Sequence, residues 1–179
     1  MNPYTILQTD PYPVYEIDLA KLTEASEISQ IMKLYNVVYY VYTFEYQGQV
    51  IKHGISVDKN SNYGDRIYRQ AGHLEGWKYY RLRGPSGNDM RIIDTAYYEK
   101  NGEHLNRLGM KIVVRDLTNM PSPSLADKTF HVKKLERQLI REYEDQNNQL
   151  PIGNVKDEAH IDNKTYVTKD VWNKIFDFQ

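Results

Sequence analysis

The sequence of 179 residues contains no cysteine. Disulfide bonds, thiolate zinc sites and a cysteine nucleophile are therefore excluded, and any bound metal must be held by oxygen or imidazole ligands. The sequence also lacks a run of about 18 apolar residues and a charged-then-apolar leader at its N-terminus. These absences predict a cytoplasmic protein without a membrane segment.

Net positive charge is lacking as well, since 23 Lys and Arg stand against 24 Asp and Glu. This average argues against a simple basic coat protein for nucleic acid, although a segregated distribution can still form a basic patch. One such segment, residues 65–91, mixes basic and aromatic side chains: Arg66, Arg69, Trp77, Lys78, Tyr79, Tyr80, Arg81, Arg83 and Arg91. The mixture suits phosphate contacts and stacking of bases or sugars, and it is equally typical of a solvated loop.

The hydrophobic pattern indicates one domain with extensions, because a chain of this length can bury one proper core. Three prolines in the first 20 residues indicate an extended or irregular start. Beyond it, the pattern predicts a helix opened by Thr23 or Ser26, a β-hairpin over 37–57 and a short helix over 65–72. A helix follows from Asn88 or Asp89 to about Asn101, and then a strand over 110–114. The last two predicted elements are a long helix from Asp127 or Thr129 to about Asn147 and an amphipathic helix over 169–178. We expect an α/β (α+β) fold: a small three-stranded antiparallel sheet flanked by helices.

The long helix carries a carboxylate on its apolar side. Glu136 falls between Val132 and Ile140 at helical spacing, inside the arc of apolar residues. A carboxylate turned towards a core is unfavourable unless it is paired, hydrogen-bonded or bound to a metal. A structural salt bridge is one explanation, and a Mg²⁺ ligand is the other, since this ion commonly uses one or two carboxylates together with water and phosphate.

Two further groups of residues are candidates for chemistry. On the short helix, Arg66, Gln70 and His73 share a stripe, and an arginine there suits a phosphate, although a surface arginine is the commoner explanation. In the hairpin, Lys52 lies among largely apolar neighbours. A lysine close to a tyrosine favours the tyrosinate form and turns a poor base into a usable one.

The hairpin resembles the signature of the GIY-YIG endonucleases, which has a tyrosine on one strand and a Tyr-x-Gly on the next. Residues 40–44, Tyr-Val-Tyr-Thr-Phe, resemble the first half, with Tyr42 at the motif tyrosine and Tyr40 in place of its glycine. Residues 52–56, Lys-His-Gly-Ile-Ser, resemble the second half, with Lys52 in place of the second tyrosine. This departure is similar to a restriction-enzyme branch of the family in which lysine takes that place.

The rest of the family signature matches residues on helices. Arg66 is similar to the arginine of the helix after the hairpin, and Glu136 to the metal-binding glutamate of a later helix. The resemblance implies a nuclease domain over residues 37–154, an N-terminal helical extension over 1–36 and a C-terminal extension with a helix over 155–179.

The resemblance implies a metal-dependent endonuclease that hydrolyses phosphodiester bonds in double-stranded DNA, with a type II restriction enzyme leaving 5′-phosphate and 3′-hydroxyl ends as the preferred interpretation. One Mg²⁺ or Mn²⁺ ion would be held by Glu136. Tyr42, primed by Lys52, would take a proton from the attacking water while Arg66 neutralises charge on the phosphate. The implied catalytic residues are Tyr42, Lys52, His53, Arg66, His73 and Glu136. The implied substrate-binding residues are Tyr40, Arg69, Trp77, Lys78, Arg81, Arg83 and Asn154.

Several alternatives stay open at the level of sequence. The same fold serves repair, homing and phage nucleases, and it could serve a non-catalytic scaffold that binds nucleic acid and uses Glu136 only in a buried ion pair. RNA is a second possible substrate. The late asparagine of the family could be Asn147, Asn148 or Asn154, of which Asn154 is preferred. A palindromic target would imply a two-fold homodimer.

Overall fold

A computed structural model of the chain describes residues 2–57, 64–77, 88–121 and 125–154. These residues contain five strands and four α-helices, which confirms the mixed α+β class. In chain order they are β1 (Tyr4–Gln8), β2 (Val14–Asp18), α1 (Glu27–Leu34), β3 (Tyr40–Tyr46), β4 (Gln49–Ser56), α2 (Asp65–Ala71), α3 (Asn88–Asn101), β5 (Met110–Asp116) and α4 (Leu125–Asn147). Within the described ranges, no helix combines the length and the apolar character needed to span a membrane.

The strands form one antiparallel sheet in the order β1-β2-β5-β3-β4, so the prediction of three strands is wrong in number. The predicted strands β3, β4 and β5 lie together, and β1 and β2 extend the sheet beyond β5. Two of the prolines that suggested an irregular start, Pro3 and Pro13, directly precede β1 and β2, and their carbonyls accept hydrogen bonds. The Pro3 carbonyl accepts from Asp18 N at 2.8 Å, and the Pro13 carbonyl accepts from Asp116 N at 2.9 Å.

The predicted hairpin is confirmed as β3 and β4. Its turn residues Gln47 and Gly48 have φ of 50° and 81°, which is the backbone of the tight turn that matches the twist of paired strands. The register places Tyr42 opposite Gly54 and Thr43 opposite His53. This register decides which side chains of the signature meet.

The two faces of the sheet are covered by different helices. Tyr40, Tyr42, Phe44 and Tyr46 point to the first face, where they pack with buried side chains of α1, α2 and α3. Tyr39, Val41 and Thr43 point to the second face, where Val132 of α4 packs on Tyr39 and Val41. The segment 2–36 belongs to the same core as the hairpin, since Ile17 of β2 and Ile28 and Met32 of α1 lie in the cluster of the first face.

Some sequence-level predictions fall outside the described residues. These are the substrate-binding Lys78, Arg81 and Arg83, the C-terminal extension 155–179 and its helix over 169–178. The domain boundaries at residues 36 and 154 stay predictions.

Candidate active site

The motif tyrosine lies directly against the motif glycine of the neighbouring strand. The Tyr42 ring covers Gly54 so closely that a Cβ on residue 54 would overlap Cζ and Oη of Tyr42 and lie 2.8 Å from its Cε1. The ring is also held by Phe44, whose ring centroid is 5.7 Å away at an interplanar angle of 88°. Glycine is therefore required at position 54 by the packing of the tyrosine, and the phenol has a fixed place on the first face.

The phenol of Tyr42 meets Gln70 of α2. Gln70 Nε2 lies 3.4 Å from Tyr42 Oη, and Tyr42 Oη lies 3.5 Å from Gln70 Oε1. Both side chains are buried. Arg66 lies one helical turn before Gln70 on α2, and its side chain is outside the described part of the structure.

Lys52 lies on the same face as Tyr42, because it pairs with Phe44 while Gly54 pairs with Tyr42. It is buried, with 6% of its surface exposed. Gly153 packs directly beside it: a Cβ there would lie 2.7 Å from Lys52 Cβ and 3.0 Å from the Ile51 carbonyl oxygen. The lysine stem is thus enclosed between β4 and the segment that follows α4.

Asn154 is joined to the main chain of β4. Its Oδ1 accepts from His53 N at 2.7 Å and its Nδ2 donates to the His53 carbonyl at 2.8 Å, while Gly153 N donates to the Ile51 carbonyl at 2.8 Å. The amide side chain therefore takes the place of a neighbouring strand along the outer edge of β4. The other candidates for the late asparagine, Asn147 and Asn148, are exposed.

The side chain of His53 points to the second face, away from Tyr42 and Lys52. Its Nδ1 lies 2.7 Å from Thr43 Oγ1, which accepts from Arg115 Nη1 at 2.8 Å. The direction of the bond between Thr43 Oγ1 and His53 Nδ1 depends on the tautomer of the imidazole, because a hydroxyl group can donate one hydrogen bond and accept two. Burial, and then the Arg115 charge, lower the pKa of His53 from 6.5 to about 4. His53 is therefore a buried neutral group of the second face.

Glu136 lies on the buried side of α4, as the helical spacing predicts. It is 8% exposed, between Val132 and Ile140, which are both 0% exposed. α4 packs against the edge strand β4 and its neighbour β3. The Glu136 carboxylate can supply oxygen ligands to a hard cation. The described residues contain no group of three His, Asp or Glu that could hold a metal, so water or a phosphate would have to supply the other ligands.

The other sequence-predicted site residues are distributed around the core. Tyr40 is 1% exposed on the first face, and Trp77 is 7% exposed with the Arg107 guanidinium 4.7 Å from its ring centroid. His73 is buried and its Nδ1 accepts from Arg91 Nε at 3.2 Å, whereas Arg69 is exposed on α2. The described contacts thus bring Tyr42, Gly54 and Gln70 together and do not present the Trp77 ring for stacking on a base.

Gln70 contacts Tyr42, and Thr43 joins His53 to Arg115, although the sequence assigned no specific role to Gln70, Thr43 or Arg115. The signal for Gln70 was its spacing of four residues from Arg66 on one helix stripe. Thr43 had no signal of its own, because only the cross-strand register pairs it with His53. Arg115 had no local signal, because its contact with Thr43 joins strands 72 residues apart in sequence.

Comparisons with protein-family models, with curated proteins and with solved structures find no match to this chain. The assignment of function therefore depends on the geometry described above and on the resemblance of the motifs.

We predict that Gly54→Ala destabilises the fold through Tyr42. The added Cβ overlaps the phenol ring, so the free energy of unfolding should fall by about 2 kcal/mol. In a Tyr42→Leu background, where the overlapping ring atoms are absent, the same substitution should lower it by under about 1 kcal/mol. Urea unfolding of the four proteins measures this coupling. Equal losses in both backgrounds would show that the ring does not occupy this place.

We predict that His53 makes stability depend on acid pH. The folded pKa of His53 is about 4, below the 6.5 of an unfolded histidine. The contribution of neutral His53 to the free energy of unfolding is therefore complete above pH 6.5 and is lost as the pH falls towards 4. Between about pH 7 and about pH 5 the free energy of unfolding should fall by about 2 kcal/mol from this group. His53→Gln should remove this part of the pH dependence in urea unfolding, and His131→Gln on α4 should retain it. A wild-type slope in His53→Gln would contradict the buried neutral state.

Proposed function

We propose that the protein is a metal-dependent endonuclease of the GIY-YIG type that hydrolyses phosphodiester bonds in double-stranded DNA. The observation that carries the proposal is the placement of Tyr42 against Gly54 with Lys52 on the same face of the adjacent strand. This arrangement supports the resemblance, because it gives the phenol a fixed position and places the lysine of the second half on the same side of the sheet. The order of β3, β4, α2, β5 and α4 along the chain also supports the proposal.

In the proposed reaction, Tyr42 removes a proton from the attacking water as a general base. Lys52 supplies a positive charge on the same face of the adjacent strand. Arg66, at the start of α2, neutralises charge that develops on the scissile phosphate. Asn154 and Gly153 hold the edge strand β4, so that Lys52 and Gly54 keep their positions.

The metal ligand in this proposal is Glu136. A single buried carboxylate suits Mg²⁺ or Mn²⁺, since such ions complete their coordination with water and substrate phosphate. The bound ion would supply positive charge to the scissile phosphate and stabilise the leaving oxygen. A type II restriction enzyme that acts as a homodimer is the specific form we propose, with a repair, homing or phage nuclease as the alternative of the same chemistry.

A second candidate function is a non-catalytic scaffold of the same fold. The observation that favours it is burial: Tyr42 is 3% and Lys52 6% exposed, whereas a general base must reach water. In a scaffold, Tyr42 and Gly54 would serve packing alone, and Glu136 would serve a buried ion pair. Cleavage assays distinguish the two functions.

We predict that Glu136→Gln abolishes cleavage while DNA binding is retained, because the variant keeps the shape of the side chain and loses the charge that holds the metal. A mixed-sequence plasmid incubated with Mg²⁺ should give discrete fragments with the wild type, and none with chelator or with the variant. Asp145→Asn, an exposed carboxylate of the same helix, is the matched control and should cleave normally. Activity of Glu136→Gln would overturn the metal-ligand assignment. Absence of cleavage by the wild type on duplex, branched and single-stranded DNA would favour the scaffold or an RNA substrate.

We predict that Lys52→Met lowers the cleavage rate at neutral pH by about 100-fold or more, because the proposed site loses the positive charge on the face of Tyr42. Lys52→Tyr should remain impaired at neutral pH, since a neutral phenol does not replace the charge. The measurement is the single-turnover cleavage rate with saturating enzyme, together with the affinity for DNA in the absence of metal. A fully active Lys52→Tyr enzyme would reject a charge-specific role for the lysine.

A further inference from the structure

The phenolic oxygen of Tyr42 is confined from two sides. On one side the ring lies against the backbone of Gly54, where even a methyl group would overlap it. On the other side lies the carboxamide of Gln70, whose Nε2 and Oε1 are 3.4 and 3.5 Å from Tyr42 Oη. Tyr42 is 3% and Gln70 6% exposed, so water does not readily replace this contact.

The position of Gln70 is itself determined by the core. Its neighbours on α2, Ile67 and Ala71, are 0% exposed and pack in the cluster of the first face together with Tyr42. The backbone of Gln70 is therefore held close to the sheet by the packing of α2. The same helix carries Arg66 one turn earlier.

A carboxamide is suited to a phenol that changes its protonation state. Its oxygen accepts the O–H of a neutral tyrosine, and its nitrogen donates to a tyrosinate, after rotation of the amide about its last bond. A carboxylate would accept from the phenol but repel the tyrosinate, and an apolar side chain would leave both states unpaired in a buried site. The amide does not titrate, so it orients the phenol and takes no part in moving the proton.

We propose that Gln70 is a positioning residue that holds the phenolic oxygen of Tyr42 in both the neutral and the ionised state. The inference rests on the proposed function, in which Tyr42 is the general base, and it adds a residue that the motif resemblance did not assign. Gln70 contacts Tyr42 and not the substrate.

The test compares the wild type with Gln70→Leu and Gln70→Glu, two changes of similar volume. Gln30→Glu, the same chemical change at an exposed position of α1, is the matched control. The first readout is the near-ultraviolet absorbance of tyrosinate against pH, taken as the difference between each protein and the same protein carrying Tyr42→Phe. The second is the pH dependence of the single-turnover cleavage rate with Mg²⁺, and the third is the urea unfolding midpoint.

If Gln70 holds the phenol, the Tyr42 titration midpoint should rise by about 1 pH unit or more in Gln70→Glu, because a carboxylate disfavours the tyrosinate. It should also rise in Gln70→Leu, which loses the donor to the tyrosinate. The rise of the single-turnover cleavage rate with pH should also move to higher pH, while the DNA affinity stays unchanged. Gln30→Glu should match the wild type in all three readouts.

Two failures are distinguishable. A wild-type titration midpoint in both Gln70 variants would overturn the inference, whether or not the unfolding midpoint falls, because a merely structural amide changes stability alone. The other failure concerns the enzyme. If the Tyr42 titration midpoint shifts in both Gln70 variants but the wild type cleaves no nucleic acid, the nuclease assignment would be lost while the pairing of Gln70 with Tyr42 would be supported.

Discussion

The contact between the Tyr42 ring and the Gly54 backbone constrains the rest of the candidate site. It requires that β3 and β4 pair in a register that places these two residues opposite each other. A slip by one residue would turn Tyr42 towards the second face, and its partner on β4 would then be His53 or Ile55, which have side chains, in place of glycine. The tight turn at Gln47 and Gly48 sets the pairing of Glu45 with Val50, and a register shift between Phe44 and Glu45 then brings Tyr42 opposite Gly54. The ring of Phe44 packs against the Tyr42 ring beside the glycine.

The exposed edge of β4 is closed by the chain that follows α4. Edge strands present unpaired N–H and C=O groups, and here Asn154 pairs with both backbone groups of His53 while Gly153 bonds to Ile51. Gly153 can approach this closely only because it has no side chain. The segment that follows α4 thereby contributes to the position of Lys52. It also connects α4, the helix of Glu136, to the hairpin.

Strand alternation separates neighbouring residues of the motif into different environments. Lys52 and Gly54 lie on the face of Tyr42, whereas His53 between them is buried on the second face beside Thr43, which also accepts from the half-buried Arg115. The first face therefore combines a phenol, an amide and a lysine, and the second holds a neutral imidazole. His53 thus has a hydrogen-bonded environment on the face of the sheet opposite Tyr42.

Local patterns in the sequence determined the hairpin, the helix positions and the burial of Glu136, because each follows from periodicities of two or 3.6 residues that a short segment displays by itself. The number of strands was not predictable, since prolines at the ends of β1 and β2 gave the same signal as irregular chain, and only the bonds to their carbonyls show otherwise. Tertiary structure alone decided that Asn154 binds His53, 101 residues away, and that Gln70 meets Tyr42, 28 residues away. Such contacts depend on how helices and strands pack together, and packing is a property of the whole chain that no local pattern contains.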